Sequence, residues 1–129
     1  MNISKFTQKS VQAVQDLEKV AYEYGNQEIE EEHLLYALLT QEDSLILKLI
    51  EKMEIQKEYF VDTVKKALDA RVKVSGGELR FGQYLNKALV SAEDEAKAMG
   101  DEYVSVEHLF LSMLKNPSPS MKKLFNEFG

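Results

Sequence analysis

The chain contains the stretch FTQKSVQAVQDLEKVAYEYGNQEIEEEHLLYALL at residues 6–39 and, at a constant offset of 75, the stretch FGQYLNKALVSAEDEAKAMGDEYVSVEHLFLSML at residues 81–114. The two stretches align without a gap, and ten of the 34 positions are identical. Most other apolar positions of one copy are also apolar in the other, as in the pairs Val14/Leu89 and Ile29/Val104. A repeat of this kind indicates that one helical unit has been duplicated. The two copies must then bury their apolar faces against each other or against neighbouring helices.

Apolar residues recur every three or four positions in the first copy, the spacing of one face of an α-helix. Thr7 is a suitable N-cap for the first helix, and Gly25 supplies the left-handed residue that ends it. A third helix begins at Asp43-Ser44. No alternating pattern predicts a strand of useful length. The helices predicted for this copy cover about 7–24, 31–40, 44–53 and 56–72.

The second copy repeats the plan, with helices over about 83–99 and 106–114, the latter capped by Ser105. Pro117 and Pro119 mark a turn, after which Ser120 is expected to cap a short last helix. The predicted fold class is therefore all-α, a pseudo-twofold duplication in which the second unit lacks its last helix. We expect one domain over 1–129, made of a first repeat (about 1–73), a linker (74–80) around Ser75-Gly76-Gly77 and a second repeat (about 81–129). The missing helix suggests the front piece of a longer protein.

Composition excludes several classes of protein. A net charge of −6 argues against nucleic-acid binding, which needs a basic face. The absence of cysteine excludes disulfides and thiol chemistry and fits a reducing cytoplasm. No secretory signal precedes the first helix, and no apolar run is long enough to span a membrane. No phosphate-binding loop or nucleophile elbow occurs, so this chain is not expected to hydrolyse nucleotides by itself.

The two histidines, His33 and His108, each follow a glutamate at the same place in the repeat. Because adjacent helical residues diverge, this pairing does not form a metal site, and a structural hydrogen bond is the favoured interpretation. The acids before them suit the positive end of a helix. The matched pair Glu32 and Glu107 also leaves open a site for a cation on a partner.

The helix of the second copy that begins near residue 83 carries more apolar residues than one face needs. Tyr84, Leu85, Leu89 and Val90 could belong to the core or line an exposed groove that binds protein.

The repeated segments resemble the N-terminal (Clp R) domain of the Clp unfoldases. The resemblance rests on Phe6-Thr7, on Gly25-Asn26-Gln27-Glu28-Ile29 leading into Glu32-His33-Leu34-Leu35, and on residues 100–109. It covers essentially the whole chain. Within the family, residues 33–43 are more similar to the disaggregating ClpB branch than to the ClpC branch.

This resemblance implies two copies of a four-helix repeat that dock substrates or adaptors ahead of two ATPase rings. The implied partners are unfolded or aggregated proteins, and adaptor proteins, with no nucleic acid and no membrane. The domain itself needs no cofactor or metal; ATP and magnesium belong to the downstream modules of the family. The isolated domain is expected to be a monomer and the full-length protein a hexamer. Residues matching functionally implicated polar positions of the family are Thr7, Asp101 and Glu107, and Leu89 matches a groove leucine.

Two hypotheses compete with a ClpB-type docking domain that captures apolar segments near Leu85 and Leu89. One is an adaptor- or phosphoarginine-binding domain of the ClpC or ClpA type, in which Glu32 and Glu107 hold a guanidinium group. The other is a stand-alone helical enzyme built on the two histidines. The residues expected to bind substrate or a partner are thus Thr7, Glu32, Tyr84, Leu85, Leu89, Asp101 and Glu107.

Overall fold

The computed structural model describes residues 3–129 and confirms an all-α fold. A short 3-10 turn over Ile3–Lys5 precedes the first α-helix, and two strands, β1 (Glu28–Ile29) and β2 (Arg80–Phe81), interrupt the helices. The helices are α1 (Gln8–Gln15), α2 (Leu17–Tyr24), α3 (Glu31–Leu39), α4 (Leu45–Lys52), α5 (Lys57–Asp69), α6 (Gln83–Ala98), α7 (Val106–Lys115) and α8 (Pro119–Asn126).

The first predicted helix is divided at Asp16 into α1 and α2. Asp16 itself keeps right-handed helical angles, with φ −78° and ψ −10°. Its N–H donates to the Gln12 carbonyl and its carbonyl accepts from the Val20 N–H, both at 3.0 Å. The two segments therefore continue one another, and residues 3–129 hold the seven helices expected. The end of this helix is also as expected, since Gly25 adopts φ +70°.

Two helix boundaries differ from the prediction. Ser118, not Ser120, caps α8: the Ser118 Oγ accepts from the Met121 N–H at 3.2 Å, and Pro119 takes the first helical position, where no N–H is needed. Helix α5 ends at Asp69 instead of continuing to Val72, because the chain beyond it bonds to the turn after α2. The Val72 carbonyl accepts from the Asn26 side chain at 3.1 Å.

The two repeats are joined by short parallel strand contacts that the sequence did not predict. Strand β1 pairs with β2 in the register Ile29↔Phe81, and Phe6 forms an isolated parallel bridge with Val104. Phe6 corresponds to Phe81 in the repeat, and Ile29 corresponds to Val104. The two pairings are therefore equivalent, with the roles of the first and second repeat exchanged. Such reciprocal pairing defines a twofold relation between the repeats. A strand of two residues is too short to show the alternation of apolar and polar residues by which strands are predicted from sequence.

Helix α3 lies at the centre of the fold. It contacts α1, α2, α4, α5, α6 and α7, and every residue in it except Tyr36 is buried. Leu34, Leu35 and Leu38 of α3 share a continuous core with Leu17 of the first repeat and with Leu85 and Leu109 of the second. Because α3 is buried on all sides, the polar residues at its start are forced to find partners inside the protein.

Candidate functional site

The histidines form the same hydrogen-bonded device in both repeats. The His33 Nδ1 accepts from the Glu30 N–H at 2.9 Å, and its Nε2 lies 2.9 Å from the Asn26 Oδ1. At the equivalent places, the His108 Nδ1 accepts from the Ser105 N–H at 2.9 Å, and its Nε2 lies 2.8 Å from the Asp101 Oδ2. An accepting Nδ1 fixes the proton on Nε2.

Each histidine thereby closes the start of a helix onto the turn before it, which confirms a structural hydrogen-bonding role. Both ring nitrogens are engaged in each case. Burial, followed by the charge of Arg71, lowers the pKa of His33 to about 4. Within residues 3–129, no three metal-ligating side chains lie together. The geometry thus gives no support to a metal centre or to catalysis by these rings.

The side chains of Glu30, Glu31 and Glu32 make hydrogen bonds to different parts of the fold. The sequence analysis did not predict these contacts. The Glu30 carboxylate leaves its own helix and reaches the start of α6, where its Oε1 accepts from the Leu85 N–H at 2.9 Å. Gly82, the N-cap residue there, has no side chain to offer. Burial raises the pKa of Glu30, and the hydrogen bond from Leu85 opposes that shift.

Glu31 does the same for α8. Its Oε1 accepts from the Ser118 N–H at 2.8 Å, and the side chain is fully buried. Burial raises the pKa of the Glu31 carboxyl to about 7, with the Ser118 hydrogen bonds acting in the opposite direction. The Glu31 Oε2 is buried without a hydrogen-bond partner among the described residues. A protonated carboxyl suits such a site better than a carboxylate.

The Glu32 carboxylate forms an ion pair with an arginine of its own chain. The Arg71 Nη1 donates to the Glu32 Oε2 at 2.9 Å, and the Ser120 Oγ donates to the same oxygen at 2.9 Å. Arg71 also pairs with Glu28 at 3.5 Å. The Glu32 side chain is only 1% exposed. A residue predicted to receive a partner's cation therefore ties α3 to the end of α5 and to α8.

Thr7 and Glu107 are brought together by the fold. With Lys9, Gln41, Asp43, Leu45, Ser105 and Val106 they line a cleft of about 210 Å³ between the start of α1 and the start of α7, here called the Thr7 cleft. The Thr7 Oγ1 accepts from the Ser10 N–H at 3.2 Å and so also caps α1. Glu107 is exposed. The Lys48 ammonium, 2.9 Å away, lowers the pKa of Asp43.

The remaining predicted residues lie elsewhere. Leu85 and Leu89 are 0% and 1% exposed, so they belong to the core and do not line a surface groove. The reason is that α6 turns its 85–88–89–92–96 stripe inward onto α3 and α7. Tyr84 is half-buried and Val90 is exposed. The Asp101 side chain is half exposed at its hydrogen bond to His108.

A second and larger groove, which no sequence pattern predicts, lies between α5 and α8. It has a volume of about 880 Å³. Helix α5 contributes Tyr59, Thr63, Lys66 and Ala67, with its C-cap Ala70, and α8 contributes Ser120, Lys123 and Leu124, with its C-cap Glu127. The Glu32–Arg71 ion pair also lines the groove, as do Val72, Val74 and Arg80. This surface is called the α5–α8 groove below.

A search of protein families matches residues 5–128 to the Clp repeat (R) N-terminal domain, and the chain belongs to this family. Among curated proteins it is 39% identical over 135 residues to the chaperone protein ClpB of Nitratidesulfovibrio vulgaris, and 38% identical over 134 residues to that of Clostridium tetani. All of this chain but only 16% of either relative is covered. The resemblance inferred from the repeated motif is thereby confirmed.

Solved structures have the same fold. The N-terminal domain of Hsp104 from Candida albicans superimposes with a TM-score of 0.83, covering 95% of this chain and 81% of that one, at 21% identity. The N-domain of ClpV in complex with a VipB peptide gives a TM-score of 0.75, covering 96% and 79%, at 20% identity. That complex shows a peptide bound to a domain of this fold.

None of the helices described in residues 3–129 is both long and apolar enough to cross a membrane.

Proposed function

We propose that this chain is the polypeptide-docking domain of an ATP-dependent, ClpB-type protein disaggregase. The observation that carries the proposal is the Clp repeat over residues 5–128, with ClpB chaperones as relatives at 38–39% identity. In this proposal the domain binds unfolded or aggregated polypeptide and does no chemistry itself. ATP and magnesium act in modules outside it, the whole protein is a cytoplasmic hexamer, and this domain alone is a monomer.

The Thr7 cleft is the surface of this domain that we assign to client docking. It joins two of the implicated polar residues, Thr7 and Glu107, to the side chain of Leu45, which is 39% exposed. A cleft of about 210 Å³ removes little apolar surface from water. At about 25 cal/mol per Å², such burial gives weak binding once the entropy of association is subtracted. Weak capture suits a domain that must release its client to the rest of the machine.

Titration of the chain with a fluorescein-labelled, permanently unfolded polypeptide, reduced and carboxymethylated α-lactalbumin, tests the proposal by fluorescence anisotropy. Saturable binding that Leu45→Ala and Glu107→Ala each weaken would support it. The matched control is Glu102→Ala, an exposed acid that does not line the cleft. Leu89 is unsuitable for this test, since an aspartate in place of a buried leucine would unfold the protein.

Binding that is absent, or that falls equally in the Glu102→Ala control, would contradict the assignment. The phosphoarginine hypothesis is not favoured, because Glu32 already holds the Arg71 guanidinium and the hydroxyl of Ser120. Adaptor proteins are a second class of partner in this proposal, and an adaptor that docks at the same cleft would compete with the labelled polypeptide.

A further inference from the structure

The α5–α8 groove has the dimensions and lining of a binding site that the docking function above does not use. Its volume of about 880 Å³ lies within the range of about 300–1,000 Å³ found for ligand pockets. Along α5, residues 59, 63, 66, 67 and 70 all face it, and along α8, residues 120, 123, 124 and 127 do so. These spacings each form one helical face, so each helix forms one wall of the groove.

The length of these walls fits a short extended peptide. At 1.5 Å per residue, the α5 wall is roughly 16 Å long and the α8 wall roughly 10 Å. An extended chain rises about 3.3 Å per residue, so roughly three to five residues fit between the walls. Beside the groove, Phe128 packs against α5, with its ring centroid 5.4 Å from that of Tyr59 and 5.0 Å from that of Phe60.

Part of the rim of the groove is apolar and open to solvent. Tyr59 is 55% exposed, Val72 is 79% exposed and Val74 is 41% exposed. The half-buried Ala67 also lines the groove, as does Leu124, which is only 4% exposed. Isolated exposed apolar residues need no explanation, but a set that borders one groove offers a contact area for apolar side chains.

The charge of the groove differs from that of the rest of the protein. Four basic side chains and three carboxylates line it, which leaves it at +1 in a chain whose net charge is −6. Glu28 and Glu32 are neutralised by Arg71 and Arg80. Lys66 on one wall and Lys123 on the other make no ion pair within residues 3–129.

We propose that the α5–α8 groove binds an extended peptide segment that carries aspartate or glutamate beside apolar residues. The apolar side chains pack on the exposed Tyr59 and Val74, and the acids pair with Lys66 and Lys123. This assignment is independent of client docking at the Thr7 cleft, and it depends on the charge complementarity of two facing helices. An acidic peptide is attracted here although the protein as a whole repels it, because charges more than about 8 Å apart are largely screened at physiological salt.

The chain offers a matched control for each lysine. Lys65 and Lys122 are the immediate neighbours of Lys66 and Lys123, are exposed on the same helices, and do not line the groove. The experiment measures the binding of a fluorescein-labelled peptide of alternating Glu, Leu and Ser residues by anisotropy, at low and at physiological salt. A second peptide, with Lys in place of Glu, tests the sign of the charge.

We expect saturable binding of the acidic peptide, weaker at higher salt, and none of the basic one. Lys66→Glu and Lys123→Glu should each weaken binding roughly fivefold, the scale of a solvent-exposed ion pair reversed in sign. Lys65→Glu and Lys122→Glu should leave it nearly unchanged. Thr7-cleft variants such as Glu107→Ala should also leave it unchanged, which separates this proposal from the client-docking one.

Three results would overturn the proposal: equal binding of the two peptides, equal losses in the groove and neighbour variants, or no binding at all. Sedimentation velocity of the chain alone tests whether a second copy of this chain occupies the groove. A concentration-dependent dimer that Lys66→Glu dissolves and Lys65→Glu does not would assign the groove to a second copy of this chain, and would also overturn it.

Discussion

The Glu30 carboxylate of the first repeat caps a helix of the second, accepting from the Leu85 N–H at 2.9 Å. The equivalent helix of the first repeat is capped by its own Thr7. In the alignment of the repeats, Thr7 corresponds to Gly82 and Glu30 corresponds to Ser105. In the structure, Glu30 lies beside Gly82, and Thr7 lines the same cleft as Ser105. The equivalent helices of the two repeats are thus capped differently. Thr7 caps α1 from its own N-cap position, whereas α6, whose N-cap is Gly82, is capped by Glu30 of the other repeat.

This relation predicts a compensating pair of substitutions. A Cβ built on Gly82 would lie 2.3 Å from the Glu30 Cδ, so Gly82→Thr should displace the carboxylate. Glu30→Ser should remove the cap. Each single change is expected to cost about 0.5–2 kcal/mol of stability, the usual effect of losing a cap. The double variant reproduces the Thr7–Ser105 arrangement and should recover much of that loss in urea denaturation. Strictly additive losses would show that the two positions are not coupled.

A second prediction concerns Glu31, whose pKa burial raises to about 7 from an ordinary 4.5. Between these values the folded protein holds a proton that the unfolded chain releases. The stability contributed by this group is therefore complete below pH 4.5 and is lost as the pH rises through 7. Glu31→Gln keeps an acceptor for the Ser118 N–H and does not titrate, so its stability relative to the parent should rise by about 3 kcal/mol from pH 4 to pH 8.

Urea denaturation of both proteins across this range measures the effect. Glu18→Gln, a change at an exposed first-turn acid of α2, is the control and should run parallel to the parent. Parallel curves for Glu31→Gln as well would show that the pKa of Glu31 is the same in the folded and unfolded states.

A third prediction concerns His33, whose pKa is lowered to about 4 by burial and by the charge of Arg71. The unfolded histidine takes up a proton near pH 6.5 and the folded one resists until about pH 4. Its contribution to stability is thus present above pH 6.5 and is lost as the pH falls through 4. NMR titration should show the His33 ring neutral at pH 5, with its proton on Nε2. A His33 signal that titrates near pH 6.5 would contradict the buried hydrogen-bonded geometry.

His33→Gln isolates this effect in stability measurements. A glutamine at this position can still accept from the Glu30 N–H, as in an ordinary capping box, and it carries no charge in acid. The variant should lose less stability than the parent between pH 6.5 and pH 4. Because Glu31 and His33 act in opposite directions over nearly the same interval, the parent's own pH profile should be flatter than that of either variant.

The repeat itself was the strongest information in the sequence. Helix periodicity together with Gly25 and Gly100 placed both helix pairs, and glycine at a left-handed position leaves little choice of helix end. The identical residues Glu32 and Glu107 nevertheless have different environments, one buried against Arg71 and the other exposed. Arg71 lies in the segment after α5, outside the aligned stretch of residues 6–39. Alignment of the two repeated stretches cannot show a partner that lies beyond them.

The candidate site was predicted only in part, for reasons of burial. Thr7 and Glu107 meet because the reciprocal strand contacts bring the start of α1 beside the start of α7. Leu85 and Leu89 were assigned to a surface because the stripe of α6 contains more apolar residues than one face requires. A helix packed between α3 and α7 buries a wider stripe than a surface helix does. The α5–α8 groove arises from two helices 50 residues apart in sequence, and no local pattern reports their distance.

The last prediction tests whether Arg71 is a structural counter-charge. Removing it by Arg71→Ala leaves the Glu32 carboxylate, 1% exposed, with only the Ser120 hydroxyl as partner. Breaking a buried ion pair in this way is expected to cost about 3–5 kcal/mol. Arg80→Ala removes a more exposed pair, 3.6 Å from Glu28, and should cost at most about 1 kcal/mol. Adding Glu32→Gln to Arg71→Ala should recover part of the stability, because a buried amide needs no counter-charge. Equal losses from Arg71→Ala and Arg80→Ala in thermal unfolding, with no recovery in the double variant, would mean that Glu32 is solvated through the groove.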